Sequence, residues 1–311
     1  MTGTPREYDF RAEGKRLSNW GRWGDEDERG TLNFITPRLV QAAGETIRTG
    51  RVFELSIPIG RGGVPWGGVI NRVDPLHLMS FVPTVGETTD AMFGSDDYIV
   101  MSLQASTQWD GFAHIGYDDY FYNGVHASEL TWEGARRNGI DKTLPGMVGR
   151  GVLIDFARLH GVDWLEGGYE IGPDEIEAAE KEQGVRVGTG DAFIFRTGWR
   201  RKALIEGWDG WLQTEPGLTA DCAAWLRDRE VAAVASDNHA VEVTPVPGPP
   251  PALPLHAVLI RDMGMPLGEI FDLEELAADC GADGRWEFLF SAPPLRVPGA
   301  VGSPVSPIAI K

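Results

Sequence analysis

The run Gln104-Ala-Ser-Thr-Gln-Trp-Asp-Gly-Phe-Ala-His114, which follows Tyr98-Ile-Val-Met-Ser-Leu103, is the stretch whose reading decides the fold. If the chain is extended here, side chains alternate, and Gln104, Ser106, Gln108 and Asp110 share one face. Gly111 then permits a bend that returns His114 toward the same spot. A helical reading pairs Gln104 with Gln108 and Asp110 with His114, but puts the two pairs on different faces. The β-branched and aromatic residues just before argue for a strand. The expectation is a core strand, Tyr98–Leu103, running into one polar face.

Working outward, further strands are expected at Val52–Ile59, Gly151–Phe156, Ala192–Arg196, Val231–Ala235 and the C-terminus. Thr36 and Pro37 open a helix whose Leu39, Val40, Ala43 and Ile47 share a face, ended by Gly50. Gly172 to Gly184 reads as a second helix with acidic residues near its positive end. Thr219 opens a third, and Asp272 with Glu275 reads as a capping box for a fourth. Strands and helices mix without strict βαβ alternation, so the fold class is α/β: a single domain with a mixed β-sheet. The proline-dense segment Thr244–Pro254 reads as a stiff loop delivering His256.

Composition bounds the function. The chain has 311 residues, and a hydrophobic content of 42% with 11 Trp and 13 Phe is ample for a sizeable core. A net charge of −18 repels nucleic-acid phosphates and anionic membranes, and no cluster of basic residues offsets it beyond Arg200-Arg-Lys202. Cys222 and Cys280 have neither disulfide-framework nor zinc-site spacing, which fits a reducing cytoplasm. The N-terminus lacks the apolar core of a signal peptide, and no apolar stretch approaches the ~20 residues that span a bilayer. There is no Gly-x-Ser-x-Gly elbow and no phosphate-binding glycine loop. The expected partner is a small-molecule substrate.

Asp110 and His114, four apart, are able to orient one another and tune the imidazole for moving protons near neutrality. Taken alone, such a pair reads first as a satisfied local hydrogen bond. Trp109 and Phe112, interleaved with the polar face, are candidates to line a pocket for a planar substrate, while core packing is the expected role of the neighbouring aromatics. His77 and His239 could enter the pocket but read first as structural or exposed loop histidines, and His126 and His160 carry no functional expectation.

The order of these residues resembles the cyclase-like hydrolase family that includes bacterial kynurenine formamidase and isatin hydrolase. That family carries His-x-x-x-His-x-Asp-x-x-x-His with a Thr before the second His. Here the pattern falls on Gln104, Thr107, Gln108, Asp110 and His114, with glutamine at both leading histidines and Gly111-Phe-Ala113 where a proline is usual. A second signature is matched by Leu255-His-Ala-Val-Leu-Ile260 and Gly264-Met-Pro-Leu-Gly-Glu269, which carries the site onto His256 and Glu269. The resemblance runs from about Gly30 to the end, leaving 1–29 as an N-terminal arm and 30–311 as the catalytic domain.

The resemblance implies a swivelling β/β/α fold and homo-oligomers. It implies metal ligands at Gln104, Gln108, Asp110, His256 and Glu269, and catalytic roles for His114 and Glu269. Amide oxygens are uncharged donors, so a divalent ion (Mn²⁺ or Zn²⁺) is expected to bind weakly or not at all. The function implied is hydrolysis of a small cyclic or formyl amide, or of a lactone, by water attack on a carbonyl. A metal-independent cyclase, dehydratase or isomerase acting on a metabolite such as a polyketide is the alternative. A binding protein that has lost its metal is the third reading, opposed by the retention of Asp110, His114, His256 and Glu269.

Overall fold

The computed structural model describes residues 8–83, 92–245 and 253–311. Nine strands form one mixed sheet: β1 (Val52–Glu54), β2 (Gln108–Asp110), β3 (Met147–Asp155), β4 (Ala192–Arg196), β5 (Ala233–Ser236), β6 (Leu267–Glu269), β7 (Glu287–Ala292), β8 (Gly302–Pro304) and β9 (Ile308–Ile310). Their order is β1-β9-β7-β3-β4-β5-β6-β2-β8. The middle four, β3 to β6, run parallel, and every pairing outside them is antiparallel.

Parallel strands covered on both faces read as continuous apolar runs, and Ala192-Phe-Ile-Phe195 and Ala233-Val-Ala235 do so. Phe193, Phe195, Val234 and Leu267 face one cluster, where they meet Ile176, Leu226, Val258 and Leu259. Ile194, Ala233 and Ala235 face the other, packed with Trp109, Phe271, Phe290 and Leu276. The result is a single α/β domain with helices on both faces of a mixed sheet, as expected. The segment before Gly30 joins this core: helix Phe10–Leu17, capped by Asp9, buries Phe10 and Leu17. Among the described residues no helix is long and apolar enough to cross a membrane.

Several local expectations hold. Thr36 accepts the Leu39 N–H and caps helix Pro37–Gly44, and helix Pro173–Gln183 ends at Gly184, whose φ of +67° suits glycine. Others need correction. The expected core strand Tyr98–Leu103 is instead Asp96–Val100, one arm of a hairpin with Leu76–Phe81 in which every residue is exposed. Period and propensity marked it as strand but could not say whether anything covers it. The capping box at Asp272 is not closed: helix Glu274–Asp283 starts later, after Leu273, and Asp272 accepts only the Glu274 N–H, at 3.4 Å. The proline-dense segment falls largely on 246–252, outside the described residues.

Candidate functional site

The site is built where β2 slots between β6 and β8. Gln108 lies directly opposite Glu269, and Asp110 opposite both Leu267 and Gly302. Opposed residues share a face, so Gln108, Asp110 and Glu269 project together, on the side of the sheet that also carries Leu267. All three are buried. Gln108 donates an N–H to Glu269 Oε2. Gln104 stands in the turn before β2, half-buried. Its amide nitrogen lies 2.6 Å from where a Cβ on Gly302 would stand, so this glycine makes room for it on the Asp110 face. The backbone of Gly111 is likewise crowded, because a Cβ there would meet the Val301 carbonyl at 2.9 Å. The turn it allows brings His114 Nε2 to 3.7 Å from Asp110 Oδ2 while leaving a quarter of the imidazole exposed.

His256 arrives from the other direction. It ends the turn Pro254–His256, which continues into a π-helix over Ala257–Met263 packed on the same face. Single π-turns gather at functional sites because they re-aim side chains. Glu242, which nothing in the sequence singled out, holds this turn. Its carboxylate accepts the N–H of Leu255 at 3.1 Å and of His256 at 2.7 Å, and Oε1 also lies 2.7 Å from His256 Nδ1. His256 Nε2 is 3.2 Å from Glu269 Oε1. A second dyad stands nearby, with His239 Nδ1 3.7 Å from Glu215 Oε1 and the His239 N–H donated to Glu215 Oε2. Of the two loop histidines that the sequence leaves able to enter the pocket, His239 stands beside the site, whereas His77 lies on the exposed hairpin.

The electrostatics follow from burial. Burial favours the neutral imidazole of His256, but the hydrogen bonds and charges of Glu242 and Glu269 outweigh it and raise its pKa to about 10. Burial pushes the Asp110 carboxyl up, opposed by the charge of His114. Glu269 is buried as well, yet the hydrogen bond from His256 and the positive charges of His239 and Arg72 keep it below the ordinary carboxylate range. The two carboxyls are therefore driven apart.

The two aromatic pocket candidates are placed elsewhere. Trp109 points to the opposite side of the sheet from Asp110. There it packs on Phe271 with ring centroids 5.7 Å apart and donates its indole N–H to the Ala292 carbonyl. Phe112 is fully buried against Tyr122. Strand alternation requires this of Trp109: sharing β2 with Gln108 and Asp110 means facing away from them.

A cation fits what remains. Both oxygens of Asp110 and Oε1 of Gln108 are buried without a hydrogen-bond partner among the described residues. One ligand atom from each of Asp110, His256 and Glu269 lies within 4.8 Å of the others. Glu242 on His256 Nδ1 leaves Nε2 toward this group, which is the outer-shell arrangement that orients metal-bound imidazoles. Two carboxylates, one imidazole and an amide oxygen suit a single oxygen-preferring divalent ion better than a nitrogen- and sulfur-preferring one.

A mixed sheet with a buried Asp/His/Glu cluster at an inserted strand defines the class. The profile of the family described as "Putative cyclase" matches residues 53–243, more than half the chain, and the protein belongs to this cyclase family. A solved structure described as a novel cyclase is 39% identical and superposes with a TM-score of 0.87, covering 96% of this chain and 99% of that one. Isatin hydrolase A from Labrenzia aggregata, bound to benzyl benzoate, is 18% identical with a TM-score of 0.62, over 88% of this chain and 97% of that one. A "predicted metal-dependent hydrolase" from Bacillus stearothermophilus is 18% identical with a TM-score of 0.52, over 83% and 97%. These last two likenesses are of fold. No curated protein matches the sequence.

Proposed function

We propose that the protein hydrolyses a small cyclic or formyl amide, or a lactone, with His114 as general acid and base. The observation that carries this is the imidazole of His114, a quarter exposed, 3.7 Å from the buried Asp110 and beside the Gln108–Glu269–His256 cluster. Asp110 orients the ring. His114 takes a proton from the water that attacks the substrate carbonyl, a C–O bond forms, and the C–N or C–O bond to the leaving atom breaks as His114 returns the proton to it. Glu269, kept ionised, stabilises the positive charge that His256 carries between Glu242 and Glu269, and stands near enough to share the role of base. Asp110 and Glu269, with Gln108 and with His256 once it gives up its Nε2 proton, would hold a divalent ion, which when bound would supply Lewis-acid polarisation of the carbonyl. The ion is expected to be weakly held, because two of the family's imidazoles are amides here. The test is turnover of a panel comprising isatin, N-formylkynurenine and small lactones, with and without added Mn²⁺. Absence of hydrolysis across the panel would count against this reading.

One observation favours a second reading, a metal-independent cyclase, dehydratase or isomerase. Gln108 already satisfies Glu269 with its own N–H, and burial raises the Asp110 carboxyl while Glu269 is held low, so two carboxyls of unlike acidity stand side by side. Unchanged turnover after exhaustive chelation, with a product isomeric to its substrate or short of it by one water, would select this reading.

A further inference from the structure

Arg72 is a buried cation that the chemistry above leaves unused. It follows the short 3-10 turn Val69–Asn71 at the foot of the exposed hairpin, and only 9% of it reaches solvent. Other buried cations have carboxylates at hand: Arg196 lies 3.0 Å from Asp155, Arg200 3.8 Å from Asp272 and Lys311 2.8 Å from Asp279. Arg72 has no ion pair among the described residues, and its buried Nη1 has no hydrogen-bond partner there. A guanidinium held in a low-dielectric interior without a counter-ion is strongly unfavourable unless a ligand supplies one.

Its surroundings are shaped for an anion. The guanidinium carbon lies 4.7 Å from the centre of the Trp66 ring, a cation–π contact that holds the planar fork in place. His239 packs edge-on against the same indole, with ring centroids 5.6 Å apart, and turns Nδ1 toward Glu215. Asn238, the residue before His239, accepts the backbone N–H of Ile270, the residue after Glu269, so the Arg72–Trp66–His239 stack adjoins the cluster, yet Arg72 makes no ion pair with its carboxylates among the described residues. In a chain of net charge −18, an anionic substrate needs such a local reversal of sign to enter.

We propose that Arg72, flanked by Trp66 and His239, is a carboxylate-binding subsite beside the reacting centre, so that the substrate is a small amide or lactone that also bears a carboxylate. This rests on the reading of the site as a carbonyl hydrolase. The guanidinium fork donates to both carboxylate oxygens at once, which fixes the distance and plane of the scissile carbonyl relative to His114.

The experiment is calorimetric titration of the full chain, freed of metal by chelator, with benzoate, 2-aminobenzoate and 3-phenylpropanoate, with the primary amide of each, and with inorganic sulfate. At least one carboxylate is expected to bind on the order of 10–100-fold tighter than its amide, Arg72→Gln to abolish that preference and Arg72→Lys to retain part of it. His239→Gln, which leaves the guanidinium in place, is expected to weaken the same carboxylate several-fold, and it serves if Arg72→Gln does not fold. Equal binding of acids and amides, a preference that survives Arg72→Gln, or sulfate binding as tightly as the best carboxylate would overturn the assignment. Because titration needs no turnover, a protein that prefers carboxylates but hydrolyses nothing keeps the subsite and loses the hydrolase reading. A hydrolase without the preference does the reverse.

Discussion

At the scale of single residues, the site depends on side chains that hold other side chains. His114→Ala should lower turnover by ~10²–10⁴, the usual worth of a general acid–base group, with circular dichroism unchanged; near-normal turnover would remove His114 from the mechanism. Glu242→Gln keeps the shape but withdraws the charge that fixes His256. It should reduce both activity and divalent-ion affinity, by ~10–100-fold for the ion, read by calorimetry. The double substitution Gln104→His with Gln108→His should raise Mn²⁺ or Zn²⁺ affinity, because Asp110 already supplies a charged ligand on that face. If the unmodified protein binds an ion tightly and the substitutions change nothing, the account of the glutamines is wrong. Asp110, His256 and Glu269 were legible in the sequence, since their order matches a family pattern and the structure does bring their ligand atoms together. Glu242 and Arg72 were not. Nothing local distinguishes Val241-Glu-Val243, and a glutamate that caps a turn and holds an imidazole is visible only once residues 242 and 256 have met.

At the scale of elements, the alternation along β2 decides more than any motif. It sends Gln108 and Asp110 to the site and Trp109 into the core, so one three-residue strand serves both. Gly268 on β6 is the neighbour that permits this. A Cβ there would meet Ala235 and Trp109 at 2.7 Å and Phe271 at 2.9 Å. Gly268→Ala should therefore cost about 1–3 kcal/mol in denaturant unfolding and should also impair activity, by shifting Glu269 against Gln108. Beyond β4 and β5, Asp237 ties the strand ends together, accepting N–H groups from Thr197 and Gly198 and the Thr197 hydroxyl. Burial pushes its carboxyl up to about 6. The native state therefore holds this proton more tightly than the unfolded chain does between about pH 3.8 and 6, and stability from this group is lost as pH rises through that window. Asp237→Asn should make the pH dependence of stability between pH 4 and 6 less negative, measured by urea unfolding, while lowering stability overall. A slope identical to that of the parent would refute the assignment. The strand over Asp96–Val100 shows where legibility stops: β-branched and aromatic residues announce the conformation, whereas burial depends on what else arrives, and here nothing described does.

At the scale of the whole molecule, β2 pairs with β6 and β8, so residue 108 lies opposite residues 269 and 304. Beyond His114 and its own strand, the setting of Asp110 comes from sequence far away, since its strand partners are Leu267 and Gly302. Contacts of such separation form late, because the entropy of closing them is spent before they contribute any stability. The parallel strands β3 to β5, joined by shorter excursions, can organise first. Recovery of turnover during refolding should therefore coincide with the slowest kinetic phase rather than with the recovery of far-ultraviolet circular dichroism. Turnover that returns with the earliest phase would contradict this order. A nascent or damaged chain would then carry the parallel centre of its sheet and still be inert, so that competence of the acid–imidazole cluster certifies that β2 has been inserted between β6 and β8.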